Sequence, residues 1–426
     1  MKKLLKVISL ALIAMMLVAC SGGNNGGNEG GESGSAAEIM IWHTLTDHDE
    51  EMLQQIVDAF NAEHEGEYHV TQETQPLDGF NAKVYEAVTN GVGPNLVWLF
   101  PSTAQDYIDA GLALDYSKYF SDADYKDRVA PGVYAASTDY ADGGLHAAVC
   151  TLTGPIMFYN KELLEKYSLE IPTTWDELYN VCKTVVDGEK AEGNDIMGFG
   201  PDDDVTLSVI VMEQLGLDYI ASDNTVPNWT DEKFINWLNW WKEAEDAGYF
   251  KLKDPEGYHS GPYGNQQYFC YMGSSAGMNY ITPNGFTIVT GPVPQVAGGK
   301  QYTEITTRAM VGFAKEDEAQ NAGAAEFVKF FTKAENNLPF CQKYSASTPF
   351  SDVASSEVYQ DYFNSSVAQQ AFSILLPVSG TRKAVKGSGS VDEALKAAVG
   401  SIIIDGADAA ETMAAAQATA NAALAD

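Results

Sequence analysis

Residues 38–60, EIMIWHTLTDHDEEMLQQIVDAF, read as a strand that is followed at once by an amphipathic helix. We predict the strand over residues 38–43 and the start of the helix at Thr46, with Asp49 placed to return a capping hydrogen bond. Apolar side chains then recur at helical spacing, so that one face of the helix is buried. These side chains are Leu53, Ile56, Val57 and Phe60. The stretch therefore predicts a strand and helix unit of an α/β fold.

The same alternation continues along the chain. We predict a strand over residues 68–71, a helix over residues 81–89 that Gly91 ends, and an apolar strand over residues 96–100. Alternating strands and helices indicate parallel sheets covered by helices, and ligands of such sheets bind beyond the carboxyl ends of the strands. Trp98, inside an apolar run, is predicted to be core, and so are Trp237 and Trp241, which lie at i and i+4 of a predicted helix. The candidate ligand contacts in these positions are Trp42, His43, Asp78, Phe80, Phe100 and Ser102.

The N-terminus has the pattern of an export signal. Lys2, Lys3 and Lys6 precede an apolar run, residues 7–19, that is too short to span a bilayer. Leu17-Val18-Ala19-Cys20 resembles the lipobox of bacterial lipoproteins, which implies cleavage before Cys20 and lipidation of its sulfur. The alternative is an ordinary signal peptide with a chance cysteine. Residues 21–37 contain no large apolar side chain and are predicted to be a flexible tether on the extracytoplasmic face of the cell membrane.

Length and charge narrow the class of protein further. About 400 residues follow Cys20, which is more than one core usually organises, so we expect two lobes. The chain has 59 acidic and 25 basic residues, a net charge of −34, and this balance argues against a nucleic-acid partner. No later apolar run reaches the length of a membrane span, so we expect contact with the membrane only through the lipid.

The remaining cysteines and the histidines give no sign of a metal site. Cys150, Cys182, Cys270 and Cys341 are widely spaced in apolar surroundings, and we interpret them as buried free thiols, with one or two disulfides left open. His43 and His48 are five residues apart, which is not the spacing of a helical metal pair. We expect neither a metal nor a cofactor.

Several further segments carry a resemblance that covers nearly all of the chain after the tether. They are Ile41-Trp42-His43, residues 58–63 (DAFNAE), residues 90–97 (NGVGPNLV), residues 158–164 (FYNKELL) and residues 172–178 (PTTWDEL). In this order and spacing the chain resembles the extracellular solute-binding proteins of ABC transporters, in the sugar-binding family that includes maltose-binding protein. Two helix starts are predicted independently from capping boxes, at Thr174 and at Ser390.

The resemblance implies an α/β fold of two doubly wound lobes, joined by a hinge that the chain crosses several times. It implies the following organisation: residues 1–19 signal peptide, 20–37 lipidated cysteine and tether, 38–149 with 306–347 the N-lobe, and 150–305 with 348–426 the C-lobe. The ligand is expected in the cleft between the lobes, which close on it. The implied partners are a small carbohydrate and the permease subunits of the transporter, and we expect a monomer.

Three further groups of residues are expected to face the ligand. Residues 273–280 form a predicted loop with free amides and hydroxyls, where the family's second lobe touches sugar, and Ser274, Ser275 and Asn279 are its candidate contacts. Arg308 and Arg382 are the arginines near predicted cleft segments. A neutral carbohydrate is the first ligand hypothesis. Glycerol 3-phosphate or a glycerophosphodiester is the second, and its phosphate would need such a cation.

A secreted hydrolase is the main rival interpretation. Residues 273–277, GSSAG, match the G-x-S-x-G nucleophile elbow with Ser275 as the nucleophile, but that fold places its histidine after the serine. The last histidine of the chain is His259. A pair of glycosidase carboxylates stays open among 59 acidic residues, since no motif selects one. We therefore predict a binding protein rather than an enzyme.

Overall fold

The computed structural model of the chain describes residues 36–77, 79–252 and 257–425. The predicted signal segment and Cys20 lie outside the described residues, and so does the candidate contact Asp78. The strands in these ranges are β1 (Ala37–His43), β2 (Tyr68–Thr74), β3 (Leu96–Leu99), β4 (Ala147–Val149), β5 (Pro155–Asn160), β6 (Met197–Pro201), β7 (Tyr268–Ser274), β8 (Ile288–Gly291), β9 (Thr303–Glu304), β10 (Ala309–Gly312) and β11 (Ser379–Gly380).

Helices fill most of the chain between these strands. They are α1 (Asp47–Glu63), α2 (Phe80–Thr89), α3 (Ala104–Asp109), α4 (Pro131–Thr138), α5 (Lys161–Lys166), α6 (Trp175–Ala191), α7 (Asp204–Gln214), α8 (Glu232–Asp246), α9 (Ser260–Gly264), α10 (Glu318–Thr332), α11 (Ala334–Tyr344), α12 (Ser351–Ala354), α13 (Glu357–Ser365), α14 (Val367–Leu375), α15 (Ser388–Ile403) and α16 (Ala409–Ala425). Short 3₁₀ turns occur between them, among them Pro101–Thr103 and Ser275–Tyr280.

The first sheet has five strands in the order β2-β1-β3-β10-β4. β1 is parallel to both β2 and β3, as predicted, whereas β10 is antiparallel to β3 and β4. The sheet is therefore mixed and not parallel throughout, because β10 enters it from a long connection and not through a covering helix. The four apolar residues predicted for one face of α1 are all buried, in the same core as the strand residues of this sheet.

The second sheet has four strands in the order β6-β7-β5-β8. β6 is parallel to β7, and β5 is antiparallel to β7 and β8. A second group of buried side chains surrounds this sheet and includes residues of α6, α7, α8, α15 and α16. Trp237 and Trp241, predicted to be core, are buried there, and Trp98 is buried at the first sheet. These three core predictions are confirmed.

Three segments of chain lie side by side between the two sheets: residues 150–154, 303–308 and 345–348. Leu152 and Ser347 exchange two backbone hydrogen bonds of 2.7 and 2.9 Å. A backbone hydrogen bond of 3.0 Å joins the first of these segments to the second. The expected lobe boundaries fall in these segments, and the division into lobes remains a prediction.

One of the two sequence-predicted capping boxes is confirmed. At the start of α6, the Thr174 hydroxyl accepts from the Glu177 backbone and the Glu177 carboxylate accepts from the Thr174 backbone. At Ser390 the prediction is wrong. The helix begins at Ser388, after Gly387 at φ 83°, three residues before the start that a cap at Ser390 implies, so that Ser390 lies inside its first turn.

The capping role predicted for Asp49 is also wrong. Thr46 precedes α1 as expected, but its side chain caps no amide of the helix. The Asp49 carboxylate instead accepts a hydrogen bond of 2.6 Å from the hydroxyl of Tyr280, which lies 231 residues along the chain. A tertiary partner has therefore replaced the local one.

Candidate functional site

A pocket of about 220 Å³ lies beyond the carboxyl end of β3, where ligands of α/β sheets bind. The side chains and backbone around it come from the loop before α2, the start of α2, the end of β3 and the segment before β10. They are Leu77, Gly79, Phe80, Asn81, Ala82, Trp98, Leu99, Phe100 and Arg308. The structure thus brings together three of the sequence-predicted contacts, Phe80, Phe100 and Arg308.

Aromatic rings form much of the pocket wall. Phe80 begins α2 and is buried, and Trp98 lies in the middle of buried strand β3. Phe100 follows β3, lines the pocket and keeps 38% of its surface exposed. The wall therefore offers a flat apolar face of the kind that a sugar ring stacks on.

Arg308 supplies the positive charge of the pocket. Its guanidinium lies 5.0 Å from the centre of the Phe100 ring and donates from Nη1 to the Thr44 hydroxyl. Across residues 36–77, 79–252 and 257–425 no carboxylate lies within ion-pair distance of it. An arginine has five N–H donors, so most of those of Arg308 remain for a ligand.

The other two arginines of the chain are paired. Arg128 forms an ion pair of 3.0 Å with Asp352. Arg382 donates to Glu304 at 2.6 and 3.1 Å and to Asp392 at 2.9 Å. Arg308 therefore differs from both in having no acidic partner among the described residues.

Arg382, a candidate contact, lies in a buried polar network. Besides the two carboxylates it donates to the Thr206 hydroxyl at 2.6 Å, so four bonds occupy its guanidinium. Burial raises the pKa of Glu304 and of Asp392, and the nearby guanidinium opposes that rise. A ligand could reach Arg382 only by breaking some of these bonds.

Trp42 and His43 do not line the pocket. The Trp42 indole donates to Glu73 at 3.0 Å, and the Lys83 ammonium lies 5.1 Å from its ring centre. His43 is fully buried; its Nδ1 accepts from the Leu45 amide at 3.2 Å, which leaves the proton on Nε2 for the Gln72 side chain at 2.7 Å. Burial lowers the pKa of His43. Both ring nitrogens are thus satisfied inside the protein.

The predicted loop after β7 is mostly a 3₁₀ turn that packs against the protein. The Ser274 hydroxyl accepts from the Ala276 amide at 3.3 Å. Ser275 is fully buried, and its amide donates to the Gly154 carbonyl at 2.8 Å. The burial of Ser275 also speaks against a role as an exposed nucleophile. Asn279 donates to the Lys343 carbonyl.

The last candidate contact, Ser102, is half-buried in the Pro101–Thr103 turn beside Phe100, although it does not line the pocket.

Sequence reasoning did not select two residues near the pocket. Thr44, the residue after β1, accepts from Arg308, and its position at a strand end was the signal for it. Tyr344, at the end of α11, has its ring centre 6.4 Å from that of Trp98. Burial raises the pKa of Tyr344, and the charge of Arg308 opposes this effect. No local pattern marks Tyr344, because its neighbours come from distant segments.

The described residues also bear on metal binding and on membrane insertion. Among them no cluster of three or more histidine, cysteine, aspartate or glutamate side chains has a geometry that holds a metal ion. None of the described helices combines the length and apolar character needed to cross a bilayer. The four described cysteines are buried free thiols in the structure.

Comparison with known proteins identifies the family. The profile of the bacterial extracellular solute-binding proteins matches residues 55–365. Among curated proteins, the sn-glycerol-3-phosphate-binding periplasmic protein UgpB of Rhizobium meliloti (strain 1021) is 22% identical over 331 residues, which cover 71% of this chain and 72% of the relative.

Solved structures of low sequence identity share the fold. The maltose/maltodextrin-binding domain MalE of Bdellovibrio bacteriovorus, bound to maltotriose, has a TM-score of 0.77 at 14% identity and covers 92% of this chain and 100% of its own. UgpB of Mycobacterium tuberculosis, in complex with glycerophosphocholine, has a TM-score of 0.78 at 16% identity, with coverages of 92% and 99%.

The predicted α/β periplasmic-binding-protein architecture is therefore confirmed, with two mixed sheets. The family works outside the cytoplasm and its members are not enzymes, which excludes the hydrolase interpretation of Ser275. The chain belongs to the bacterial extracellular solute-binding protein family and is a solute-binding protein of an ABC importer.

Proposed function

We propose that the chain captures a carbohydrate in the cleft between its two sheets and delivers it to the permease of an ABC importer. The observation that carries this proposal is the pocket at the end of β3, where aromatic rings lie beside an arginine that has no acidic partner among the described residues. Sugar recognition requires both: a flat apolar face for the ring and planar polar groups for the hydroxyls.

The size of the pocket bears on how much of the ligand it takes. Drug-sized ligands occupy pockets of about 300 to 1,000 Å³. The 220 Å³ pocket is smaller, so it suits one sugar ring or one polar headgroup, while the rest of a longer ligand extends along the cleft.

Glycerol 3-phosphate or a glycerophosphodiester is the second candidate ligand. The specific observation in its favour is Arg308, which has no carboxylate partner among the described residues and could form a charge-assisted bond with a phosphate. The sequence relative that binds sn-glycerol 3-phosphate supports the same candidate. The two hypotheses differ in charge, which makes them separable by experiment.

A thermal-shift screen of the protein tests the function. Maltotriose, sn-glycerol 3-phosphate and glycerophosphocholine are the first probes. A ligand at about 100 times its Kd adds about 2.7 kcal/mol to the free energy of unfolding, which a melting curve detects. We expect a shift with one class of probe, and mass spectrometry should recover the bound compound unchanged. Turnover of the ligand, or no shift with any sugar or glycerol phosphate, would contradict the proposal.

The protein is further proposed to be held at the membrane by a lipid on Cys20. The support is the lipobox-like sequence that ends at Cys20 and the polar segment, residues 21–37, that follows it. Such a tether keeps the binding protein beside its permease. Cys20→Ser should release the protein from the membrane fraction or leave it as uncleaved precursor. Processed, membrane-bound Cys20→Ser protein would refute the anchor, and the binding function would stand regardless.

A further inference from the structure

Two segments that are far apart in the sequence meet through side chains. One is the start of α1, at the first sheet, and the other is the 3₁₀ turn Ser275–Tyr280 that follows strand β7 of the second sheet. The Tyr280 hydroxyl donates to Asp49 Oδ2 at 2.6 Å, and the Tyr280 ring centre lies 5.2 Å from that of His48. The contact thus connects elements that belong to different sheets.

A second hydrogen bond joins the same turn to the first sheet's helices. The Asn279 side chain donates to the backbone carbonyl of Lys343, in the last turn of α11. Helices α1 and α11 pack against each other. The turn therefore rests on a pair of helices and is held by two adjacent residues.

The burial of the two partners is unequal. Asp49 is 2% exposed, whereas Tyr280 keeps 45% of its surface in solvent. A buried carboxylate is costly unless hydrogen bonds replace its water, and the tyrosine hydroxyl supplies one. Burial raises the pKa of Asp49, and the bond from Tyr280 and the nearby His48 oppose this rise. Separation of the two segments would return the Asp49 carboxylate to water.

We propose that the hydrogen bond from Tyr280 to Asp49 is a closure contact that holds the two sheets together at one edge of the cleft. This inference rests on the proposed function in one respect, namely that closure slows the escape of a bound solute. A contact that exists in only one of two conformations shifts the balance between them by its own free energy, and a hydrogen bond to a charged group is roughly twice as strong as a neutral one.

The alternative role for Tyr280 is a direct contact with the ligand, since its ring is partly exposed. The two roles predict different behaviour before any ligand is added. If Tyr280 only contacts the ligand, removal of its hydroxyl should leave the motions of the empty protein unchanged. If Tyr280 makes a closure contact, loss of its hydroxyl should loosen both segments at once, although they are separated by more than 200 positions in the chain.

Hydrogen exchange of the full chain, without ligand, distinguishes these roles. Tyr280→Phe removes the hydroxyl and keeps the ring, and Asp49→Asn removes the charge from the other partner. We expect either change to speed amide exchange about tenfold in residues 47–53 and in residues 275–281, as loss of a bond to a charged group would. The double variant should exchange no faster than the faster single variant.

Tyr85→Phe is the matched control, because Tyr85 is equally exposed, at 46%, on helix α2. It should leave both segments unchanged. Faster exchange only in the segment that carries the substitution, or in neither, would overturn the closure contact. Tyr280→Phe alters no residue of α1, so faster exchange of residues 47–53 in this variant reports loss of the contact. This holds even if Asp49→Asn loosens that helix by itself. The thermal-shift screen is independent of this result, so the two proposals can fail separately.

Discussion

Arg308 and Arg382 are both arginines beside segments that connect the sheets, yet their surroundings are opposite. Arg382 is held by Glu304, Asp392 and Thr206 inside the protein. Arg308, at the wall of a pocket, contacts the Thr44 hydroxyl and the Phe100 ring and has no acidic partner among the described residues. A position near a predicted cleft segment is therefore not enough to make an arginine a ligand contact. What decides its role is whether the protein has already used its donors.

The largest expected effect is on stability, at the network around Arg382. Arg382→Ala leaves the buried Glu304 carboxylate without its partner, and loss of one partner of a buried pair costs about 3 to 5 kcal/mol. Denaturant unfolding measures this loss. Arg128→Ala is the control, since its partner Asp352 is 52% exposed and can return to water. Equal losses in the two variants would show that Arg382 has no special structural role.

The next largest effect is expected on the pH dependence of stability, at His43. This side chain is buried and, like that of Arg382, is hydrogen-bonded within the protein, here through both ring nitrogens. Because burial lowers its pKa in the folded protein, the unfolded chain binds a proton near pH 6.5 that the folded chain does not. The stability due to His43 is therefore present above pH 6.5 and falls as the pH is lowered through that value. We expect a slope of up to about 1.4 kcal/mol per pH unit.

The unfolding free energies of wild type and His43→Gln between pH 7.5 and pH 5 isolate this slope. The variant has no imidazole to take up the proton. The slope of its unfolding free energy against pH should therefore be smaller than that of wild type, by up to about 1.4 kcal/mol per pH unit. Parallel curves for the two proteins would mean that His43 titrates alike in the folded and unfolded chains.

The smallest effect is expected at Thr44, on the pocket side of the comparison. Thr44→Val removes the hydroxyl that accepts from Arg308 and keeps the shape of the side chain. The guanidinium should then be held less firmly, and affinity for the ligand found by the screen should fall by about 0.5 to 1.5 kcal/mol. Unfolding should change little, because Thr44 is only half-buried. A large loss of stability with unchanged affinity would place Thr44 in the scaffold.

The sequence was a good guide to several features that depend on neighbours along the chain, although the local caps predicted at Ser390 and Asp49 are wrong. The helical spacing of apolar residues predicted the buried face of α1, and the T-x-x-E pattern predicted the start of α6 at Thr174. The end of β3 was predicted to supply ligand contacts, and Phe100 lines the pocket there. The strand-end rule also covers Thr44, although it was not selected.

Contacts between distant segments could not be predicted in this way. Asp49 has the right spacing for a local cap, but Tyr280, 231 positions away, is its actual partner. Arg382 lies 78 positions from Glu304, and nothing in the loop sequence around it indicates that pairing. The mixed strand directions in both sheets could not be predicted for the same reason, because strands such as β10 pair with segments that are distant in the sequence.

Calorimetry of Arg308→Ala and Arg382→Lys with the best ligand of the screen, at two ionic strengths, tests the central claim most directly. We expect Arg308→Ala to weaken binding, by about 0.5 to 1.5 kcal/mol for a neutral sugar and by about 2 to 5 kcal/mol with marked salt dependence for a phosphate. Arg382→Lys should lower the melting temperature and, below it, bind with nearly wild-type affinity. Unchanged affinity in Arg308→Ala, together with lost binding in folded Arg382→Lys, would contradict the account.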